Sequence, residues 1–209
     1  MLITGGSNVI RDKAKAIAEG FSGYTIFMNI VIVSDVFGIT PALIKLKEKL
    51  GVTIIIDPYN GKSMDFKSEA EAYSCFIAKI GLDDYISIVL KALASLDGKT
   101  TLIGFSIGAS AIWRISLTNE NNFIKQAFCF YGSQIRNFTQ IEPCFKINLL
   151  FPKSEPHFDV VELIKKLEAK ANVKITQVEY LHGFMNYYSN NFNNTGYQRY
   201  VTLLQTITR

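Results

Sequence analysis

Short runs of apolar residues alternate along the chain with segments in which apolar and polar positions recur at helical spacing. The runs predict strands at Tyr24–Phe27, Ile30–Ser34, Val52–Asp57, Thr101–Phe105, Gln126–Tyr131, Lys146–Phe151 and Lys174–Tyr180. Several are nearly continuous Ile, Val, Leu and Phe, as strands covered on both faces require. Between them, amphipathic spacing predicts helices at Ile10–Glu19, Pro41–Leu50, Ser68–Ile80, Leu82–Leu96, Ala109–Leu117, Asp159–Ala171 and Thr195–Thr206. Pro41 suits a first helical turn and Gly51 a helix stop. Alternation of this kind implies an α/β fold, a mostly parallel sheet with helices on both faces. No repeat or linker interrupts it, so residues 1–209 are expected to form a single domain.

Composition narrows the function classes. The 209 residues are 48% hydrophobic and 19% charged, an ordinary globular balance. The net charge of +4 is scattered, without a basic run interleaved with aromatics, which argues against a nucleic-acid partner. No apolar run reaches the length of a membrane span, so no membrane partner is expected. Cys75, Cys129 and Cys144 share no metal-ligand spacing, and their odd number leaves one without a partner in the chain. With no signal-peptide pattern at the N-terminus, these features predict a reducing, cytoplasmic setting. They call for no metal and no cofactor.

One N-terminal segment points elsewhere. Leu2-Ile3-Thr4-Gly5-Gly6-Ser7-Asn8 looks like the opening of a short-chain dehydrogenase. That family needs further glycines so that the backbone can approach a pyrophosphate. Val9 and Arg11 stand there instead, and no tyrosine in the chain has a lysine four places on. The segment therefore reads as a turn and helix cap rather than a nicotinamide site.

In parallel α/β sheets, ligands bind beyond the carboxyl ends of the strands. There the chain carries Gly104-Phe105-Ser106-Ile107-Gly108, entered by the apolar run Thr101-Leu102-Ile103 and left by Ala109-Ser110-Ala111. A strand, a tight turn and a small-residue helix start form the setting of a nucleophile elbow. Side chains at the two glycines would collide with neighbouring backbone, and the Ile107 amide would lie at a helix N-terminus where an oxyanion forms.

A serine hydroxyl needs an adjacent base. The chain has two histidines, His157 and His182. In hydrolases of this kind the order is serine, acid, histidine. His182 follows the last strand in a loop flanked by glycine, which suits the base. His157 lies one loop earlier, where the acid belongs, and reads as a surface residue. For the acid, Glu155 is favoured and Asp159 competes, although Asp159 also suits the N-cap of the following helix.

These pieces together resemble the dienelactone hydrolase family of α/β-hydrolases from about Met28 onward. The resemblance runs through Val31-Ile32-Val33-Ser34-Asp35-Val36-Phe37-Gly38, Asp57-Pro58-Tyr59, the Ser106 pentapeptide, Phe130-Tyr131-Gly132 and His182-Gly183-Phe184-Met185-Asn186. It leaves residues 1–27 as a peripheral extension. It implies Ser106 as nucleophile, His182 as base, Glu155 in the acid position, and the Val36 and Ile107 amides as the oxyanion hole. Departures accompany it. Ser106 replaces the cysteine of well-known members, and Asp35 stands where a glutamate is frequent. Glu69 and Asn186 occupy the places of two arginines that hold the carboxylate of a dienelactone. Without those cations an anionic lactone is not the expected substrate. The expectation is a serine hydrolase of small carboxylic esters or thioesters. The competing one is a catalytically weak binding or scaffold protein on the same fold.

Overall fold

In the computed structural model, residues 28–118 and 123–207 are described. The predicted strand Tyr24–Phe27, the predicted helix Ile10–Glu19 and the dehydrogenase-like Leu2–Asn8 lie outside them. Six strands form one sheet: β1 (Met28–Val33), β2 (Ile54–Ile56), β3 (Lys99–Phe105), β4 (Ile124–Phe130), β5 (Lys146–Phe151) and β6 (Val173–Gln177). Their order across the sheet is β2-β1-β3-β4-β5-β6, and every neighbouring pair is parallel. Among the described residues six helices accompany them: α1 (Pro41–Leu50), α2 (Glu69–Lys79), α3 (Gly81–Leu93), α4 (Ile107–Ile115) and α5 (Val160–Leu167) between strands, and α6 (Asn194–Ile207) after the last. A 3₁₀ turn, Ser133–Asn137, follows β4.

The sheet is covered on both faces, and the pleat divides its side chains between them. Val31 and Val33 of β1 enter one core with Leu102, Cys129 and Leu149. That core is closed by Phe76 of α2, Tyr85 and Val89 of α3, the buried α4, and Leu163 and Leu167 of α5. Ile30 and Ile32 point the other way and pack with Ile103, Phe128 and Leu150 beneath Leu46 of α1 and Tyr200, Val201 and Leu204 of α6. Both sides of β1, β3, β4 and β5 are therefore dry, which explains their nearly continuous apolar runs.

Element boundaries follow local chemistry. Thr40 caps α1 by accepting from the Leu43 amide at 3.2 Å, Pro41 opens it, and Gly51 ends it at φ 63°. α4 begins at Ile107, two residues before the predicted start, because the turn passes directly into the helix. β6 stops at Gln177 rather than Tyr180 and alternates between partly buried and exposed positions, as an edge strand does. Among the described residues no helix is long and apolar enough to cross a membrane, and all three cysteines are free thiols.

The carboxyl edge of the sheet is tied by one buried hydroxyl. Tyr85 on α3 is fully buried, and its Oη lies 3.0 Å from the carbonyls of both Ser34 and Ile56, the residues at the ends of β1 and β2. Removing that donor leaves carbonyls short of a partner in a dry site. Tyr85→Phe is expected to lower stability by about 1–3 kcal/mol in urea unfolding. A change below roughly 0.5 kcal/mol, the range of a neutral surface substitution, would show that the tie carries no weight.

Candidate active site

Ser106 occupies the step from β3 into α4 with φ 50° and ψ −110°, a conformation that L-residues seldom adopt. Several contacts hold it there. Its amide donates to the Phe130 carbonyl at 2.9 Å, and its carbonyl accepts from the Ser110 amide at 3.1 Å. The glycines on either side are required by space. A Cβ on Gly108 would overlap the carbonyl oxygens of Val33 and Ser34, and one on Gly104 would sit 2.8 Å from the Ala109 backbone. The first turn of α4 is thus pressed against the end of β1, where strand and helix meet without intervening side chains.

Ser106 Oγ lies 3.0 Å from His182 Nε2, and His182 Nδ1 lies 2.7 Å from Glu155 Oε1. The chain of contacts is continuous. The Glu155 side chain is 6% exposed and that of His182 17%, so the inner pair is largely withdrawn from water. An ionised Glu155 accepting from Nδ1–H leaves Nε2 as the acceptor facing the serine. The Tyr131 ring packs against the imidazole with 4.9 Å between centroids. Asn191 Nδ2 donates to the His182 carbonyl at 2.9 Å, fixing the loop that carries the ring.

The other candidates fall elsewhere. Asp159 caps α5, its Oδ1 accepting from the amides of Val161 at 2.8 Å and Glu162 at 3.2 Å. His157 is exposed on the rim of the cleft and is not hydrogen-bonded to Ser106. Val36 and Ile107 line the same cleft of about 340 Å³ as Ser106 and His182. The Asp35 carbonyl is held by the Gly38 amide at 3.2 Å and by Ser34 Oγ at 3.1 Å. Across the planar trans peptide, the Val36 N–H must then point the opposite way. Tyr59 Oη donates to the Val36 carbonyl at 2.8 Å, bracing the same loop from outside. Among the described residues no group of three or more His, Cys, Asp and Glu side chains could hold a metal ion.

Two features of the site go beyond the sequence reading. The first is a tie between two of its loops, those after β1 and β6. Asp35 Oδ1 accepts from the Phe37 amide at 3.0 Å, and Oδ2 accepts from Asn186 Nδ2 at 2.7 Å. Asn186, read from sequence only as a lost cation, links the Val36 loop to the His182 loop. Burial lifts the Asp35 pKa to about 6, while the Phe37 and Asn186 hydrogen bonds pull it down. Glu69 raises it further and His182 lowers it. The second is Arg136, on the 3₁₀ turn after β4, which lines the cleft. It stands four residues beyond Gly132, the last residue of the Phe130-Tyr131-Gly132 segment.

No family model matches the chain. An uncharacterized protein of Bacillus subtilis (strain 168), YczH, is 37% identical over 130 residues, covering 61% of this chain and 63% of that protein. The match therefore spans less than two thirds of the relative. Solved structures are similar at low identity. A dienelactone hydrolase-like promiscuous phosphotriesterase from metagenomic libraries, P91, superposes with a TM-score of 0.60 at 13% identity, covering 87% of this chain and 85% of its own. Mouse alpha/beta hydrolase domain-containing protein 10 gives 0.60 at 8%, covering 86% and 88%. A lipase-esterase related protein from Clostridium acetobutylicum gives 0.55 at 11%, covering 85% and 94%. This chain has the α/β-hydrolase fold. Within that fold, Ser106, His182 and Glu155 stand on the loops after β3, β6 and β5, all at the carboxyl edge of the sheet.

The raised pKa of Asp35 has a measurable consequence. The folded protein keeps this proton up to about pH 6, whereas the unfolded chain releases it near 3.8. Protonation therefore stabilises the fold fully below about pH 4, and that contribution is lost as pH rises through about 6. Asp35→Asn removes the titration. The variant is expected to gain urea-unfolding midpoint relative to the unsubstituted protein between about pH 4 and pH 7. A constant difference, or one that moves the other way, would contradict the assignment.

Proposed function

We propose that the chain is a serine hydrolase of small carboxylic esters or thioesters, dienelactone-hydrolase-like in its site and working through an acyl-enzyme on Ser106. The observation that carries this reading is the unbroken contact from Ser106 Oγ through the His182 imidazole to the enclosed Glu155 carboxylate, at 3.0 and 2.7 Å. The strained elbow and the hydrolase fold support it, as do similar structures described as a dienelactone hydrolase-like phosphotriesterase and a lipase-esterase related protein.

In the first half-reaction Ser106 Oγ attacks the carbonyl carbon, and its proton passes to His182 Nε2. The carbonyl oxygen becomes an oxyanion facing the amides of Val36 and Ile107, the second at the N-terminus of α4. Glu155 stays ionised and stabilises the imidazolium. Collapse of the tetrahedral adduct breaks the bond to the alcohol or thiol, which leaves with the proton from His182. A water then gives its proton to His182 and attacks the acyl carbon. The second adduct collapses to the free acid, and Ser106 recovers its proton. The cleft around Ser106 suits a small acyl group.

Ser106→Ala is expected to reduce turnover of a short-chain 4-nitrophenyl ester by roughly 10⁴-fold or more, with an unchanged circular-dichroism spectrum. Turnover that survives the substitution would refute the nucleophile. A folded protein without turnover of any ester would favour the binding-protein alternative.

A further inference from the structure

Ser106 divides the cleft into two sides of opposite character. Its strand, β3, lies between β1 and β4. On one side stand Glu69 and Tyr73 of α2, an element that follows β2. On the other stand Arg136, after β4, and Phe158, after β5. Glu69 accepts a long hydrogen bond of 3.4 Å from Ser189 Oγ, and Asn186 is engaged with Asp35. The Glu69 side therefore presents a carboxylate.

The Arg136 side is built differently. One guanidinium nitrogen donates to the Ser133 carbonyl at 2.7 Å, and the group lies over the Phe158 ring, 5.1 Å from its centroid. The side chain is half-buried and so held in place. Among the described residues no carboxylate lies within ion-pair distance of it. A guanidinium offers five N–H donors, more than the Ser133 carbonyl engages, and Arg136 lines the cleft. Phe158 is bridged back to Glu155, which ties the cation's support to the residue that orients His182. Ser133, Gln134 and His157 add polar side chains to the same side.

We infer that Arg136 is a specificity-determining residue, and that the substrate is an ester or thioester carrying one further carboxylate, seated against Arg136 on the β4–β5 side of Ser106. The inference rests on the hydrolase reading above. An unpaired, positioned guanidinium matches a carboxylate in charge and in fork geometry. Glu69 across the cleft repels a second anion, so the preferred substrate is a monoanion. The subsite differs from the two positions at which the dienelactone-hydrolase resemblance places arginines, since those hold Glu69 and Asn186.

The test uses two substrate pairs of matched length. One carries the charge on the acyl side, as 4-nitrophenyl hydrogen adipate against its methyl-capped neutral counterpart. The other carries it on the leaving group, as 4-acetoxybenzoate against its methyl ester. Preference for the anionic member, read as the ratio of kcat/KM values, is expected to be about tenfold or more in at least one pair. Arg136→Gln should reduce that ratio about tenfold, mainly through KM. Lys166→Gln, which removes the same charge from the exposed face of α5, should leave it unchanged. An equal ratio in the unsubstituted protein and Arg136→Gln for both pairs would overturn the inference. Ser106-dependent turnover of the neutral esters in that case would leave the hydrolase reading standing. No turnover of any ester would overturn both.

Discussion

The close approach of α4 to β1 is the constraint on which the site depends. Gly108 meets the carbonyl oxygens of Val33 and Ser34, and Gly104 meets the Ala109 backbone. These contacts leave the chain no room between β3 and α4 except the tight turn at Ser106. A residue in such a region costs about 1–3 kcal/mol, and surrounding structure must hold it. Here the sheet does so, through the Ser106 amide on the Phe130 carbonyl and the fully buried flank of α4 from Ile107 to Trp113. The result is a hydroxyl raised above the sheet edge with a helix N-terminus beside it.

The remaining site residues are brought to that hydroxyl by loops that brace one another. The Val36 loop is fixed by the Tyr59 hydroxyl, by Ser34 and Gly38, and by Asp35. The His182 loop is fixed by Asn191, by the Tyr131 ring, and by Asn186 reaching Asp35. Asp35 belongs to both sets. A buried carboxylate whose pKa burial raises to about 6 joins the loop of one candidate oxyanion amide to the loop of the candidate base, beside the contact of the Phe37 and Tyr188 rings across the same two loops.

Much of this was legible in the chain because it rests on strong local rules. β5 and α1 begin and end at the predicted residues, since Lys146–Phe151 is a compact apolar run and Pro41 and Gly51 punctuate their helix. The elbow was legible because Gly, Ser and Gly at that spacing between a strand and a helix have a steric purpose. Chain order points to His182 and to the loop that holds Glu155 and Asp159, and the suitability of Asp159 as an N-cap, the place it takes, favours Glu155, which contacts His182. The start of β2 and the end of β6 are less legible, because the apolar Val52 precedes the first ladder residue Ile54, and Val178 and Tyr180 follow the last one, Gln177. Arg136 and the Asp35–Asn186 tie were not legible. A cation becomes significant only when its surroundings lack a carboxylate, and a hydrogen bond spanning 151 residues leaves no mark on local spacing.

Whether Glu155 drives His182, and His182 activates Ser106, is tested most directly by the rate at which a fluorophosphonate labels Ser106 at neutral pH. The comparison is among the unsubstituted protein, Glu155→Gln and Asp159→Asn. Rapid labelling of the unsubstituted protein is expected, with Glu155→Gln slower by roughly 100-fold or more and Asp159→Asn labelled at the unsubstituted rate. Equal rates for the unsubstituted protein and Glu155→Gln, or no labelling of Ser106 in either, would contradict the chain of three residues as a working unit.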